Sequence, residues 1–153
     1  MKNNQLTLRL ALPGESTQLA DLAEQAYGKY RGQFSAPPAP LMLDYAAVAA
    51  SGRTYVAVES HDVLGMVTIE PDGSHLILRN LAVHPSCQGR GIGSQLVSLV
   101  ENLAREGSMG AVRLWTRLEM RENIAFYLRL NYTVTHCEQN GQASRIFFLK
   151  TLL

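Results

Sequence analysis

The segment Gln88-Gly89-Arg90-Gly91-Ile92-Gly93 sets three glycines at alternate positions, and Ser94 opens a helical pattern directly behind them. Glycine adopts backbone angles closed to other residues and lets a ligand come close to the main chain, while a helix start aims unpaired N–H groups at one point. Such a turn binds phosphate. Two other phosphate motifs fit less well. A dinucleotide fingerprint needs G-x-G-x-x-G inside a parallel βαβ unit, and a P-loop ends in Gly-Lys-Ser/Thr, whereas here the spacing is G-x-G-x-G and Gly93 precedes Ser94-Gln95. A tight connection without a ligand is the plain alternative. Further along, Asn123 and Tyr127 stand four residues apart in a short helical stretch, so both share one face and can line a single ligand. Phe126 and Tyr127 can equally be core aromatics, and for Phe126 the core reading is preferred.

The elements that must carry these residues follow from periodicity. Residues 6–10 alternate as a half-buried strand, and Pro13-Gly14-Glu15-Ser16 supplies a turn and a helix cap. The next helix repeats Leu19, Leu22, Ala23, Ala26, Tyr27 and Tyr30 on one face. Residues 31–40, with three prolines, read as a loop. A short helix from Leu41 to Ser51 follows, with Gly52 as its left-handed stop. Thr54–Ser60, Val63–Glu70 and a strand through Val83 form an antiparallel meander, turning at His61-Asp62 and Pro71-Asp72-Gly73. Ser94–Glu106 is amphipathic and ends at Gly107. Ala111–Arg117 alternates as a strand, Glu122–Leu130 is a helix that stops at Asn131, and strands at 132–138 and 143–151 flank a hairpin turn at Gln139-Asn140-Gly141. The order is β-α-α-β-β-β-α-β-α-β-β, an α/β (α+β) arrangement in one domain over residues 1–153.

Composition narrows the function. The 153 residues are 46% hydrophobic and 18% charged, enough for one core. A net charge of +1, from 14 basic and 13 acidic side chains, offers no basic block for nucleic acid. No apolar run of signal-peptide or membrane-span length occurs, so a cytoplasmic protein is expected. Cys87 and Cys137 lack metal or redox spacing and read as reduced thiols, and the scattered histidines 61, 75, 84 and 136 do not converge on a metal. Cys87 as a covalent nucleophile is discounted, since no histidine partner is evident beside it.

The chain resembles the GNAT superfamily of N-acetyltransferases, whose pyrophosphate loop Q/R-x-x-G-x-G/A matches Gln88 to Gly93. Leu81-Ala82-Val83-His84-Pro85 is similar to the family's strand-end L-x-V-x-P, and Asn123-Ile124-Ala125-Phe126-Tyr127 to its N-x-x-A-x-x-[FY] region. There the aromatic residues fall three and four positions after Asn123, and Tyr127 is the natural match for the family's acid. The resemblance spans most of the chain and is strongest from Leu76 to Tyr132.

That resemblance implies a mixed, mostly antiparallel sheet of about seven strands, flanked by helices, whose fourth and fifth strands splay to admit a pantetheine arm. It implies acetyl-coenzyme A as cosubstrate, without metal, and the balanced charge, which offers no broad acidic or basic groove, favours a small-molecule amine as acceptor. Leu81, Ala82 and Val83 would offer main-chain partners, and a backbone N–H near Leu81 would polarise the thioester. Gln88, Gly89, Arg90, Gly91, Ile92, Gly93 and Ser94 would hold the pyrophosphate, Asn123 the arm or pyrophosphate region, and Tyr127 would donate to the sulfur. Arg79-Asn80 occupy the place where many members carry a basic carboxylate. Asn80 could orient a water, or Glu70 or Glu119 could act through one. The amine would enter opposite the coenzyme, beside residues 31–40 and the final hairpin, where Tyr30, Arg31 and Phe34 could recognise it, and a homodimer is expected. Protein lysine or N-terminal acetylation, and a non-catalytic acyl-coenzyme A sensor, share the same motifs.

Overall fold

The computed structural model describes residues 5–34, 36–140 and 143–152. The expected signal-free start therefore lies largely outside the described residues, as does Gly141 of the expected hairpin turn and Ser35 of the 31–40 loop.

The elements are β1 (Thr7–Leu10), α1 (Ser16–Tyr27), α2 (Tyr45–Ala50), β2 (Thr54–Glu59), β3 (Asp62–Asp72), β4 (His75–Val83), α3 (Ile92–Glu106), β5 (Ala111–Arg117), α4 (Arg121–Arg129), β6 (Thr133–Asn140) and β7 (Ala143–Thr151). They follow the expected order. The seven strands run β1-β2-β3-β4-β5-β7-β6. The β1–β2, β2–β3, β5–β7 and β6–β7 pairs are antiparallel and β4–β5 is parallel. The parallel ladder matches His75, Ile77 and the residue between them to Ala111–Arg113, while β4 runs on to Val83 and β5 to Arg117. Among the described residues, no helix is long and apolar enough to cross a membrane.

By contacts the chain divides into two compact units, Met1–Ile69 with Asn80–Ser98, and Glu70–Arg79 with Leu99–Leu153. In the first, α1 buries Leu19, Leu22, Ala23 and Tyr27, β2 buries Val56 and Ala57, and β3 buries Met66 and Val67. Ser16 does not cap α1. Instead Glu15 precedes the helix, accepts from the Leu12 N–H at 2.7 Å and takes both Arg9 guanidinium nitrogens at 2.9 and 2.8 Å. The second helix is shorter than expected because Asp44 is its cap, accepting from the N–H groups of Ala46 and Ala47 at 3.1 and 3.4 Å. Gly52 has the expected left-handed backbone, with φ of 71°. The first hairpin turns on Ser60 and His61, both left-handed, and the strand after it runs through Pro71 to Asp72, so the second turn falls at Gly73. Gly65 lets β3 lie close to α3: a Cβ there would meet Leu96 Cδ1 at 3.0 Å, Ile92 Cγ2 at 3.1 Å and the Ala82 carbonyl at 3.3 Å.

In the second unit the core gathers Leu76, Leu78, Val100, Ala104, Val112, Leu114 and Phe148. The helix before β5 ends at Glu106, but the left-handed residue is Ser108 rather than Gly107. The Ser108 N–H reaches the Arg105 carbonyl at 3.0 Å and the Met109 N–H reaches Ala104 at 2.8 Å, a Schellman closure. Asn131 closes α4 in the same way, as expected, with φ of 70°. A buried Glu101 on α3 accepts from the Tyr132 hydroxyl at 2.8 Å and from Lys150 Nζ at 3.1 and 3.2 Å.

Candidate active site

Each unit brings together part of the expected site. In the first, the end of β4 leads into the glycine loop. The His84 N–H donates to the Leu64 carbonyl at 2.8 Å. Since peptide groups along a strand alternate between its two edges, those of Ala82 share that β3-facing edge, and those of Leu81 and Val83 take the other. The Tyr27 hydroxyl donates to the Leu81 carbonyl at 2.6 Å, in keeping with that carbonyl lying outside the β3 ladder. Of the three residues expected to offer main-chain partners, Leu81 and Val83 thus present free-edge groups and Ala82 does not.

The chain then makes a 3-10 turn over Pro85–Cys87, steadied by the Ser86 N–H donating to His84 Nδ1 at 3.2 Å. Gly89 and Gly91 follow with φ of 86° and 80°. A Cβ at either would find open space, so the need for glycine is one of backbone conformation. The first intrahelical bond of α3 runs from the Gln95 N–H to the Gly91 carbonyl at 3.0 Å, which leaves the Ile92, Gly93 and Ser94 N–H groups ahead of the ladder. The Ile92 side chain is buried, so its contribution there is main-chain. Gln88 is exposed at the loop's start. Arg90 is already engaged: Nη2 meets Glu59 Oε2 at 2.5 Å and Nη1 lies 3.8 Å from Cys87 Sγ. Glu59 raises the Arg90 pKa. Cys87 is a buried free thiol.

Beside Leu81 lies a feature the sequence hides. Asn80 is buried, and neither Oδ1 nor Nδ2 has a hydrogen-bond partner. Tyr45 stands next to it, donating its own hydroxyl to the Pro40 carbonyl at 2.5 Å. Burial pushes the Tyr45 phenol up to about 12, and the nearby Asn80 amide tempers the rise, though the geometry closes no hydrogen bond between them. Burial likewise pushes the Tyr27 phenol up. Sequence periodicity marked Tyr27 only as core, and no local signal marked Tyr45 or the stranded amide.

From the 31–40 region, Tyr30 stacks on Phe34 with centroids 5.3 Å apart, and Arg31 forks onto Glu24 at 3.1 and 2.8 Å. Both contacts are what a packed connection would make.

In the second unit, Asn123 and Tyr127 share α4 as expected. Asn123 Nδ2 donates to Thr116 Oγ1 at 3.2 Å and lies 3.4 Å from Met120 Sδ, tying α4 to β5. Tyr127 is buried, edge-on to Phe126 and Tyr132 at 5.1 and 5.8 Å and tilted against Phe148 at 5.8 Å. Phe126, preferred as the core aromatic, is only half-buried because it sits off the face of α4 that packs inward. The two carboxylates considered as bases are ion-paired, Glu70 with Arg79 at 3.4 Å and Glu119 with Arg117 at 3.6 Å.

The Acetyltransferase (GNAT) family matches residues 18–132 of the chain. Over 88 residues the chain is 31% identical to the aminoalkylphosphonate N-acetyltransferase of Salmonella typhimurium, a stretch covering 53% of this chain and 56% of that protein. The chain thus spans little more than half the length of that curated relative. Among solved structures, the PaiA N-acetyltransferase of Thermoplasma acidophilum in complex with coenzyme A superposes with a TM-score of 0.78 at 14% identity, covering 97% of this chain and 99% of that one. The Drosophila melanogaster polyamine N-acetyltransferase, which forms N-acetylagmatine, gives 0.76 at 16% identity, with coverage of 97% and 100%. At these identities the two structures share the fold.

Proposed function

Given that the chain belongs to the acetyltransferase (GNAT) family, we propose that it transfers an acetyl group from acetyl-coenzyme A to a primary amine of a small molecule by direct attack. The observation that carries this is the pair of left-handed glycines, Gly89 and Gly91, feeding the start of α3. Support for a small acceptor comes from the relatives, whose names specify aminoalkylphosphonate and agmatine chemistry.

Bound acetyl-coenzyme A supplies the activated acetyl thioester. The chain's own residues do the rest. The N–H groups of Ile92, Gly93 and Ser94, with the loop from Gln88, hold the pyrophosphate, since aligned peptide dipoles favour an anion at a helix start. The free-edge peptide groups of Val83 take the pantetheine arm, and the Leu81 N–H stabilises the negative charge that develops on the carbonyl oxygen. Tyr27 fixes that strand residue by its bond to the Leu81 carbonyl. Asn123 keeps its carbonyl oxygen for the arm while its N–H groups face Thr116 and Met120. Tyr127 delivers a proton to the departing sulfur. A thiol near ~8.5 and a tyrosine near ~10 make that transfer helpful without being strongly driven.

The test is a calorimetric titration with acetyl-coenzyme A of the native protein and of Gly91→Val, followed by a thiol-release screen over small amines, polyamines, amino acids and peptides. Binding that the variant weakens by about tenfold or more, together with thiol release on a small amine, is the expected result. A native protein that binds no coenzyme overturns the proposal. Coenzyme binding with no thiol release from any amine points to a sensor, and release with peptides alone points to a protein acceptor.

A further inference from the structure

We propose that Asn80 reads the acceptor, and that this acceptor is a weakly basic primary amine with a carbonyl oxygen on the adjoining carbon, an α-amino amide, in preference to an alkyl diamine. The inference rests on the acetyltransferase reading above and deepens it.

Asn80 is 5% exposed and both its amide atoms lack partners. Folded proteins pair nearly all buried polar groups, and an unpaired one is unfavourable, so each exception calls for a reason. A partner that arrives with the substrate is such a reason, because the next residue, Leu81, has its peptide groups on the free edge of β4.

The surroundings define what that partner can be. Tyr27 enters from α1, Tyr30 from the turn after it and Tyr45 from α2. The electrostatic neighbours of Tyr27 are Tyr45 and Tyr30, and Tyr45 has the Asn80 amide beside it. Their raised phenol values keep Tyr27 and Tyr45 neutral at physiological pH. On β4 itself, Arg79 alternates to the other side and pairs with Glu70. Several acids of this unit are engaged: Glu15 with Arg9, Glu24 with Arg31, Glu59 with Arg90, and Asp44 in the cap of α2. The Asn80 amide and the neutral phenols beside it supply an ammonium with no counter-charge of their own, which disfavours its burial there.

A neutral α-amino amide suits the same group. Its N–H donates to Oδ1, leaving the nitrogen lone pair for attack, and Nδ2 donates to the adjoining carbonyl oxygen. An α-amino group has a pKa near ~7.8 against ~10.4 for a lysine-type amine, so near neutrality its uncharged fraction is larger by roughly 300-fold. The transfer then balances without an added base. The nitrogen lone pair forms the C–N bond, the C–S electrons pass to sulfur, which takes the Tyr127 proton, and the proton shed by nitrogen restores the Tyr127 hydroxyl, giving an amide and a thiol. Both Asn80 amide atoms are covered in the free protein, so the acceptor meets them as a neighbouring ring yields.

The experiment measures glycinamide and putrescine binding by calorimetry to the protein saturated with coenzyme A, for the native chain, Asn80→Leu and Asn80→Asp. Glycinamide should bind at least about tenfold more tightly than putrescine, and Asn80→Leu should erase that preference while leaving coenzyme affinity within about twofold. The Asn80→Leu Tm should stay level or rise, because an apolar side chain removes the unpaired amide; a structural role for Asn80 would lower it. The isosteric Asn80→Asp, which keeps the volume should the leucine not fold, should move preference toward putrescine by about tenfold or more. Native preference for putrescine, or a glycinamide preference untouched by both variants, overturns the proposal. Glycinamide binding that Asn80→Leu abolishes, without thiol release from acetyl-coenzyme A, would keep the site and overturn the acetyltransferase reading. A glycine-initiated peptide binding better than glycinamide would retain the chemistry and identify a peptide end as its source.

Discussion

Tyr127 combines a packing role with a proposed catalytic one, and a single atom separates the two. Its ring packs against Phe126, Tyr132 and Phe148, and its hydroxyl is assigned to the sulfur. Tyr127→Phe keeps the ring, so kcat should fall by about tenfold to a hundredfold, with coenzyme affinity unchanged in steady-state and calorimetric measurements. An unchanged kcat in Tyr127→Phe would make packing its whole contribution. Tyr27→Phe removes the donor to the Leu81 carbonyl and should cost about 1 kcal/mol in denaturant unfolding. The glycine loop was legible in the sequence because its conformation is local: Gly89 and Gly91 need left-handed angles whatever surrounds them. Asn80 was not legible as a buried, unpaired amide, since that depends on Tyr45, far away in the chain. Arg90 shows the same limit, for its pairing with Glu59 joins residues from separate elements.

Helix ends decide much at the scale of elements. Asn131 was readable as a stop because asparagine tolerates the left-handed region. The end of α3 at Glu106 was readable, but its left-handed residue lies one position later than expected: glycine suggested Gly107, yet Ser108 holds that angle, with φ of 56°. Ser108→Gly should therefore stabilise the protein by about 1 kcal/mol, read as a higher denaturation midpoint at constant m-value. Gly65 makes the opposite case. Its φ is ordinary, and what fixes it is the approach of Ile92, Leu96 and the Ala82 carbonyl. Gly65→Ala should destabilise by about 1–3 kcal/mol through overpacking, measured by thermal unfolding. The alternating β3 sequence gave no sign of that crowding, which depends on a helix entering much later in the chain.

At the scale of the whole molecule, element order and fold class could be read because hydrophobic periods and turn residues are local. The sheet order β5-β7-β6 could not, since it records the pairing of the last strand with β5 rather than any pattern within it. Global stability should carry a pH signature from Glu15, whose carboxyl Arg9 holds below its ordinary value. Above the unfolded value both states are ionised and the pairing stabilises in full; as pH falls through the lower folded value, that contribution disappears. Glu15→Gln should thus lose stability at neutral pH, with the gap to the native protein closing in acid, as denaturant titrations across pH would record. The Arg90–Glu59 pair bears on how the molecule meets an anion. Its carboxylate holds the guanidinium before any phosphate comes, so the proposed coenzyme binding would exchange one ionic contact for another. Ionic strength therefore weakens the starting state along with the final one, and affinity should respond to added salt less steeply than an arginine-bearing phosphate loop suggests. With Glu59→Gln the exchange becomes a net gain of contact, and the same titration should start tighter at low salt and fall away faster.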